Sequence, residues 1–125
     1  MRKLICIIIA VFFAGCAVGQ KMSAVEGMPS GAPIERIQIK GDKCTWSPSV
    51  VKVKRGTHVI IDVESVDWDY NFHLSGYGLH FPVKKGGTVT AEFYASEKGE
   101  HEFGCYIEKG WRWSWGGMIG KLIVE

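Results

Sequence analysis

The sequence predicts an all-β protein, a Greek-key β-sandwich of about seven strands, and three observations carry that prediction. Short runs place apolar residues at every second position, Gly, Pro, Asn, Asp and Ser punctuate them, and no stretch shows the period of a helix. The run TVTAEFYA (88–95) is the clearest: Val89, Ala91, Phe93 and Ala95 share one face, and Thr88, Thr90, Glu92 and Tyr94 share the other. Such alternation marks a strand with one buried side.

Taken in order, the chain opens with Met1-Arg2-Lys3 and the apolar run LICIIIAVFFAG (4–15). That run is too short to span a bilayer as a stable helix but suits the core of an export signal. It ends in Phe13-Ala14-Gly15-Cys16, which resembles the bacterial lipobox, with Phe13 where Leu is usual. Residues 1–16 are therefore expected to be a signal whose Cys16 is lipidated, placing the protein in the cell envelope, membrane-anchored or otherwise outside the cytoplasm. Residues 17–33, AVGQKMSAVEGMPSGAP, have no apolar period and are expected to form a flexible tether. The folded domain is expected over 34–125, through the runs IERIQIKG (34–41), CTWSPSVVKVKRG (44–56), HVIIDVES (58–65), NFHLSGYGLHF (71–81), TVTAEFYA (88–95), EHEFGCY (100–106) and MIGKLIVE (118–125). Trp46, Val51, Val53, Ile61, Phe72, Phe93, Phe103, Leu122 and Val124 are the expected core.

Charge and cysteine content narrow the function. Loss of Arg2 and Lys3 with the signal leaves 13 of the 15 basic residues against 13 acidic ones. With no net charge and no basic run longer than Lys52-Val53-Lys54-Arg55, nucleic-acid binding has no electrostatic basis. Of the four cysteines, Cys6 lies in the signal and Cys16 is assigned to lipid, leaving Cys44 and Cys105 for one disulfide or one soft metal. No Ser-His-Asp order, paired-carboxylate motif or phosphate loop points to an enzyme, and Asp67-Trp68-Asp69 reads as a solvated turn.

The order CTWSPSVVKVKRGTHVIIDVES, DWDYNFHLSGYG, KKGGTVTAEFYASEKGEHEFGC and GGMIGKLIVE resembles the cupredoxins, most of all the copper domain of cytochrome oxidase subunit II and its free-standing relatives. The resemblance covers roughly residues 35–125 and rests on Pro48 and Gly56 around a strand, Gly99 ahead of the Phe-x-Cys at 103–105, and the closing Met118-x-Gly120. It implies copper, with Cys105 as thiolate and Met118 as axial thioether. The first family His falls on Tyr70, which either fills the vacated place or serves as a phenolate ligand. Glu108 and Trp113 stand where the second His is expected, and Lys109 where the second Cys of a dinuclear centre would be. A dinuclear centre like that of the oxidase is thus not expected. An oxidase label, by resemblance, would rest on the domain alone.

Other residues compete to complete the shell. His73, one past Phe72, belongs to the opposite strand face unless the register shifts. His80 reads as a surface or edge residue, His58 as solvated, and His101, alternating with Phe103 and Cys105, as an inward His bonded to backbone. Cys44, on the strand two residues before Trp46, would reach Cys105 in the cupredoxin frame. A disulfide there would close a loop of about 60 residues, worth roughly 4 kcal/mol if unstrained; two thiolates with Met118 would instead make a sulfur-rich site that prefers Cu(I). Trp111, Trp113 and Trp115 in GWRWSWGG are expected to form an aromatic partner-binding platform. Two readings follow: a lipid-anchored copper protein serving electron transfer or copper handling, or a metal-free module with a Cys44–Cys105 disulfide. In the first, Cys44, Glu108 or His73 completes the shell of Cys105 and Met118; in the second, the Trp loop meets a respiratory or copper-handling partner.

Overall fold

Residues 20–105 and 118–125 are described by the computed structural model. They form ten strands: β1 (Ser23–Ala24), β2 (Ile34–Asp42), β3 (Thr45–Ser47), β4 (Val50–Val53), β5 (His58–Ser65), β6 (Tyr70–Leu74), β7 (Leu79–Val83), β8 (Thr88–Tyr94), β9 (Gly99–Cys105) and β10 (Ile119–Val124). One sheet runs β1-β8-β5-β2-β3 and the other β4-β10-β9-β6-β7. The all-β sandwich expected from the alternation is therefore present, with ten strands in place of about seven.

Two of the extra strands come from runs that were read as continuous. The run at 44–56 divides into β3 and β4, which belong to different sheets, and Ser47-Pro48 stands at the crossing. Proline has no N–H for a ladder, so pairing lapses there. The run at 71–81 is a hairpin of β6 and β7, with Gly76 and Gly78 at positive φ in its turn.

The third extra strand lies in the stretch 17–33. That stretch departs from the expected tether between Lys21 and Ala24. Lys21 exchanges two backbone hydrogen bonds with His80 on β7, at 2.7 and 2.9 Å, and Ser23–Ala24 pair in parallel with β8. The edges of both sheets thus gain partners from one segment, which covers otherwise unpaired ladder groups. Glu92 reinforces this lacing: one carboxylate oxygen accepts the Ser23 hydroxyl at 3.2 Å, and the other lies 2.7 Å from His58 Nε2. His58 is accordingly paired and largely covered, contrary to the expected solvated side chain.

All nine expected core residues are buried, and Ile39, Val59, Val63, Tyr70, Leu74, Leu79, Phe81 and Val83 join them. Phe72 is the centre of an aromatic cluster, with Trp46 edge-on at 5.4 Å and Phe81 and Phe103 stacked at 5.3 and 5.7 Å between centroids. Burial of each such ring contributes on the order of 2 kcal/mol. Because Phe72 pairs with Cys105, this cluster fixes the end of the sandwich where the sulfur donors stand.

Candidate metal centre

Cys105 closes β9 directly opposite Phe72. On the other flank Ile119 pairs with Gly104, so one more antiparallel step sets Met118 opposite Cys105. Met118 is buried and Cys105 half-buried, so the thiol and the thioether occupy the inner face side by side. Burial pushes the Cys105 thiol above its usual range; the charge of Cys44 adds to the rise, and a hydrogen bond with the backbone of Asn71 opposes it. The thiol is protonated at neutral pH, and a metal must displace that proton.

Cys44 is not on a strand, as the sequence suggested, but in the two-residue turn between β2 and β3. Lys43 and Cys44 both have positive φ, 51° and 56°, as the tight hairpin turn flanked by the Asp42–Thr45 pair requires. Asn and Gly normally occupy such positions, and a branched-off Cβ there costs of order 1 kcal/mol. Two groups hold the turn in place. The Lys43 N–H donates to Asp67 Oδ2 at 3.0 Å, and the Cys44 N–H donates to Tyr70 Oη at 3.2 Å. Tyr70 in turn donates to Asp67 Oδ1 at 2.7 Å.

This pair also fixes the protonation of its members. The Tyr70 hydrogen bond, then the Lys43 N–H, hold the Asp67 carboxyl below the usual carboxylate range. Burial, then the hydrogen bond to Asp67, push the Tyr70 phenol up to about 12. A phenol so engaged resists becoming a phenolate ligand, and its ring is packed at 5.5 Å from Trp46. Tyr70, expected from the resemblance at a His position, therefore acts on the backbone of Cys44.

Several expected residues stand elsewhere. His73 alternates with the core residues Phe72 and Leu74 and lies on the outer face of β6, directly opposite His80 on β7. Burial, then His80, hold its imidazole below the usual histidine range. His101 faces inward at the far end of β9, its ring 5.0 Å from Tyr77 and its Nε2 3.3 Å from the Glu97 carbonyl, the backbone-bonded role expected of it. Cys16, Glu108, Trp111, Trp113 and Trp115 lie outside the described residues. Asp67 was missed as a site residue; the spacing Asp67-x-x-Tyr70 within a turn is the signal that could have found it.

The donor set at this end is soft. Cys44 and Cys105 are both free thiols, Cys44 exposed, and Met118 adds a thioether. Among the described residues no three His, Cys, Asp or Glu side chains cluster as a metal site would need. Thiolate and thioether without imidazole fit Cu(I) better than any divalent oxygen- or nitrogen-seeking ion.

No family model matches this chain, and no curated protein matches it by sequence. Solved structures do. The metal-binding domain of a Cu(I)-exporting P-type ATPase from Streptococcus pneumoniae, with Cu(I), superposes with a TM-score of 0.63 and 18% identity, over 86% of this chain and 99% of that one. A copper-binding protein in its apo form gives 0.60 and 20%, over 74% and 88%. Auracyanin A, a blue copper protein from Chloroflexus aurantiacus, gives 0.59 and 17%, over 74% and 99%. At these identities the likeness establishes the fold, which is that of a cupredoxin.

Proposed function

We propose, from a cupredoxin fold that presents two thiols and a thioether at one end, that this chain binds Cu(I) through Cys105, Met118 and Cys44 and handles copper outside the cytoplasm. The observation that carries the reading is the turn in which Tyr70 and Asp67 hold the backbone of Cys44, Tyr70 standing at the end of the strand that leads through Phe72 to Cys105. Sulfur donors favour Cu(I) over Cu(II), so carriage of Cu(I) is better supported than a redox cycle through both states. Cys105 is the half-buried anchor and Met118 its buried neighbour; Cys44, exposed, is the thiol an incoming ion meets first. The similar structures that bind copper, one of them Cu(I), support the same choice of metal. Export and a lipid on Cys16 would hold the domain at a membrane, Glu108 would be a further candidate ligand, and the Trp loop would face a respiratory or copper-handling partner.

The test is an anaerobic titration of Cu(I) against a competing chelator, with metal analysis and thiol alkylation on the same sample. One tightly held Cu(I), lost in both Cys105→Ser and Cys44→Ser and protecting both thiols from alkylation, is the expected result. A chain that lacks two protons, resists alkylation and takes up no copper would replace this reading with the metal-free module closed by a Cys44–Cys105 disulfide.

A further inference from the structure

We propose that His73 and His80 form a second metal site, which takes a borderline divalent cation such as Cu2+ or Zn2+ through two imidazoles on the outer face of the β6–β7 hairpin. The site is separate from the sulfur donors. Phe72 and Phe81, the neighbours of the two histidines, turn into the core, so the imidazoles lie on the opposite side of the sheet from Cys105 and Met118.

The register supplies the geometry. His73 and His80 are directly opposed across an antiparallel pair, where Cβ atoms stand about 5 Å apart. Their rings are 5.6 Å apart between centroids and inclined by 66°. With metal–nitrogen bonds of about 2.0–2.1 Å, one ion would hold both imidazoles once a ring nitrogen of each turns toward it. On the other flank of His73 the register partner is Gly104, which sets no side chain beside the ring.

The backbone beneath both residues is held on two sides. His73 lies between β7 and β9, and the N–H and C=O of His80, which face away from β6, are both bonded to Lys21. Ligands on strands so constrained need little reordering on binding. The chemistry differs from that of the sulfur end: imidazole suits Cu2+ and Zn2+, whereas thiolate and thioether suit Cu(I).

The test uses the full chain carrying Cys44→Ser and Cys105→Ser, with any thiol left at Cys6 or Cys16 alkylated, so that no thiol reduces or captures added Cu2+. Titration with Cu2+ followed by electron paramagnetic resonance should give one equivalent with hyperfine structure from two imidazole nitrogens. Adding His80→Gln should weaken binding at least tenfold without shifting the thermal midpoint of the metal-free chain. Uptake that His80→Gln leaves unchanged, or a spectrum without nitrogen coupling, would overturn the site. Should the double Ser variant fail to fold, Zn2+ added to the alkylated natural chain should shift the ring resonances of His73 and His80 and leave those of His58 and His101 in place; the reverse pattern overturns it. Since His80→Gln should leave Cu(I) uptake by the natural thiols intact, failure here and failure of the Cu(I) reading are distinguishable.

Discussion

The phenol oxygen of Tyr70 accepts the backbone N–H of Cys44 at 3.2 Å while its own proton goes to Asp67 at 2.7 Å. A buried tyrosine thus positions the backbone of a candidate ligand on a neighbouring turn. Asp67 takes the preceding amide, so one carboxylate and one phenol order two successive residues of the turn.

Tyr70→Phe keeps the buried ring and removes both hydrogen bonds of the hydroxyl. We expect a loss of about 1–2 kcal/mol in chemical denaturation, near the usual cost of such bonds. The Cu(I) affinity should fall severalfold because the Cys44 turn is less ordered, with stoichiometry unchanged. An unchanged affinity would mean that the turn holds its shape without Tyr70.

The same phenol makes alkaline stability a test of the pairing. Its folded value is raised from 10.0 to about 12, so between these values the folded chain holds a proton that the unfolded chain has lost. The stabilisation is fully present below pH 10 and is lost as pH rises through about 12. Denaturation midpoints across this window should fall for the natural chain and fall less for Tyr70→Phe.

Much of the fold was legible because a strand with one buried face writes its own period: β8 reads directly as Val89, Ala91 and Phe93 against Thr88, Thr90 and Glu92. The division at Ser47-Pro48 was harder, since its mark is only a change of parity between the buried Trp46 and the buried Val51 and Val53, which end in different sheets. Lys21–Ala24 carry no pattern at all; what recruits them is the unpaired edges of β7 and β8, a property of the assembled sandwich. At the site, Cys105 and Met118 were readable from order along the chain. The turn at Lys43-Cys44 was not, because it lacks the Asn or Gly that announces a hairpin of this kind. The outer position of His73 followed from its parity with Phe72, whereas its pairing with His80 depends on the register of a hairpin that was read as a single strand.

Gly120 and Phe103 set a packing limit beside Met118. They are register partners, and a Cβ added to Gly120 would lie within 2.8 Å of three carbons of the Phe103 ring. The ring is buried against Phe72 and cannot swing to solvent. Gly120→Ala should therefore destabilise by about 1–3 kcal/mol, as overpacking of a core does. Thermal unfolding reads the effect, and an unchanged midpoint would show that the cluster can yield.

The turn that carries Cys44 sets stability against function. Its φ of 56° is one that glycine adopts without penalty and a side chain does not, and the thiol itself is exposed, so no buried contact repays the strain. Cys44→Gly should leave the Tyr70 hydrogen bond in place, since that bond uses the backbone N–H. Relief of the unfavourable φ outweighs the extra freedom glycine brings to the unfolded chain, and the metal-free protein should gain about 0.5–1 kcal/mol. The same variant should lose Cu(I) affinity by at least tenfold, because one of its sulfur donors is gone. Denaturation and Cu(I) competition on one preparation test both halves. Gain in stability together with loss of copper would identify Cys44 as a residue placed for binding at the expense of the fold; loss of stability would mean that the thiol makes a structural contact, and the turn would need another explanation.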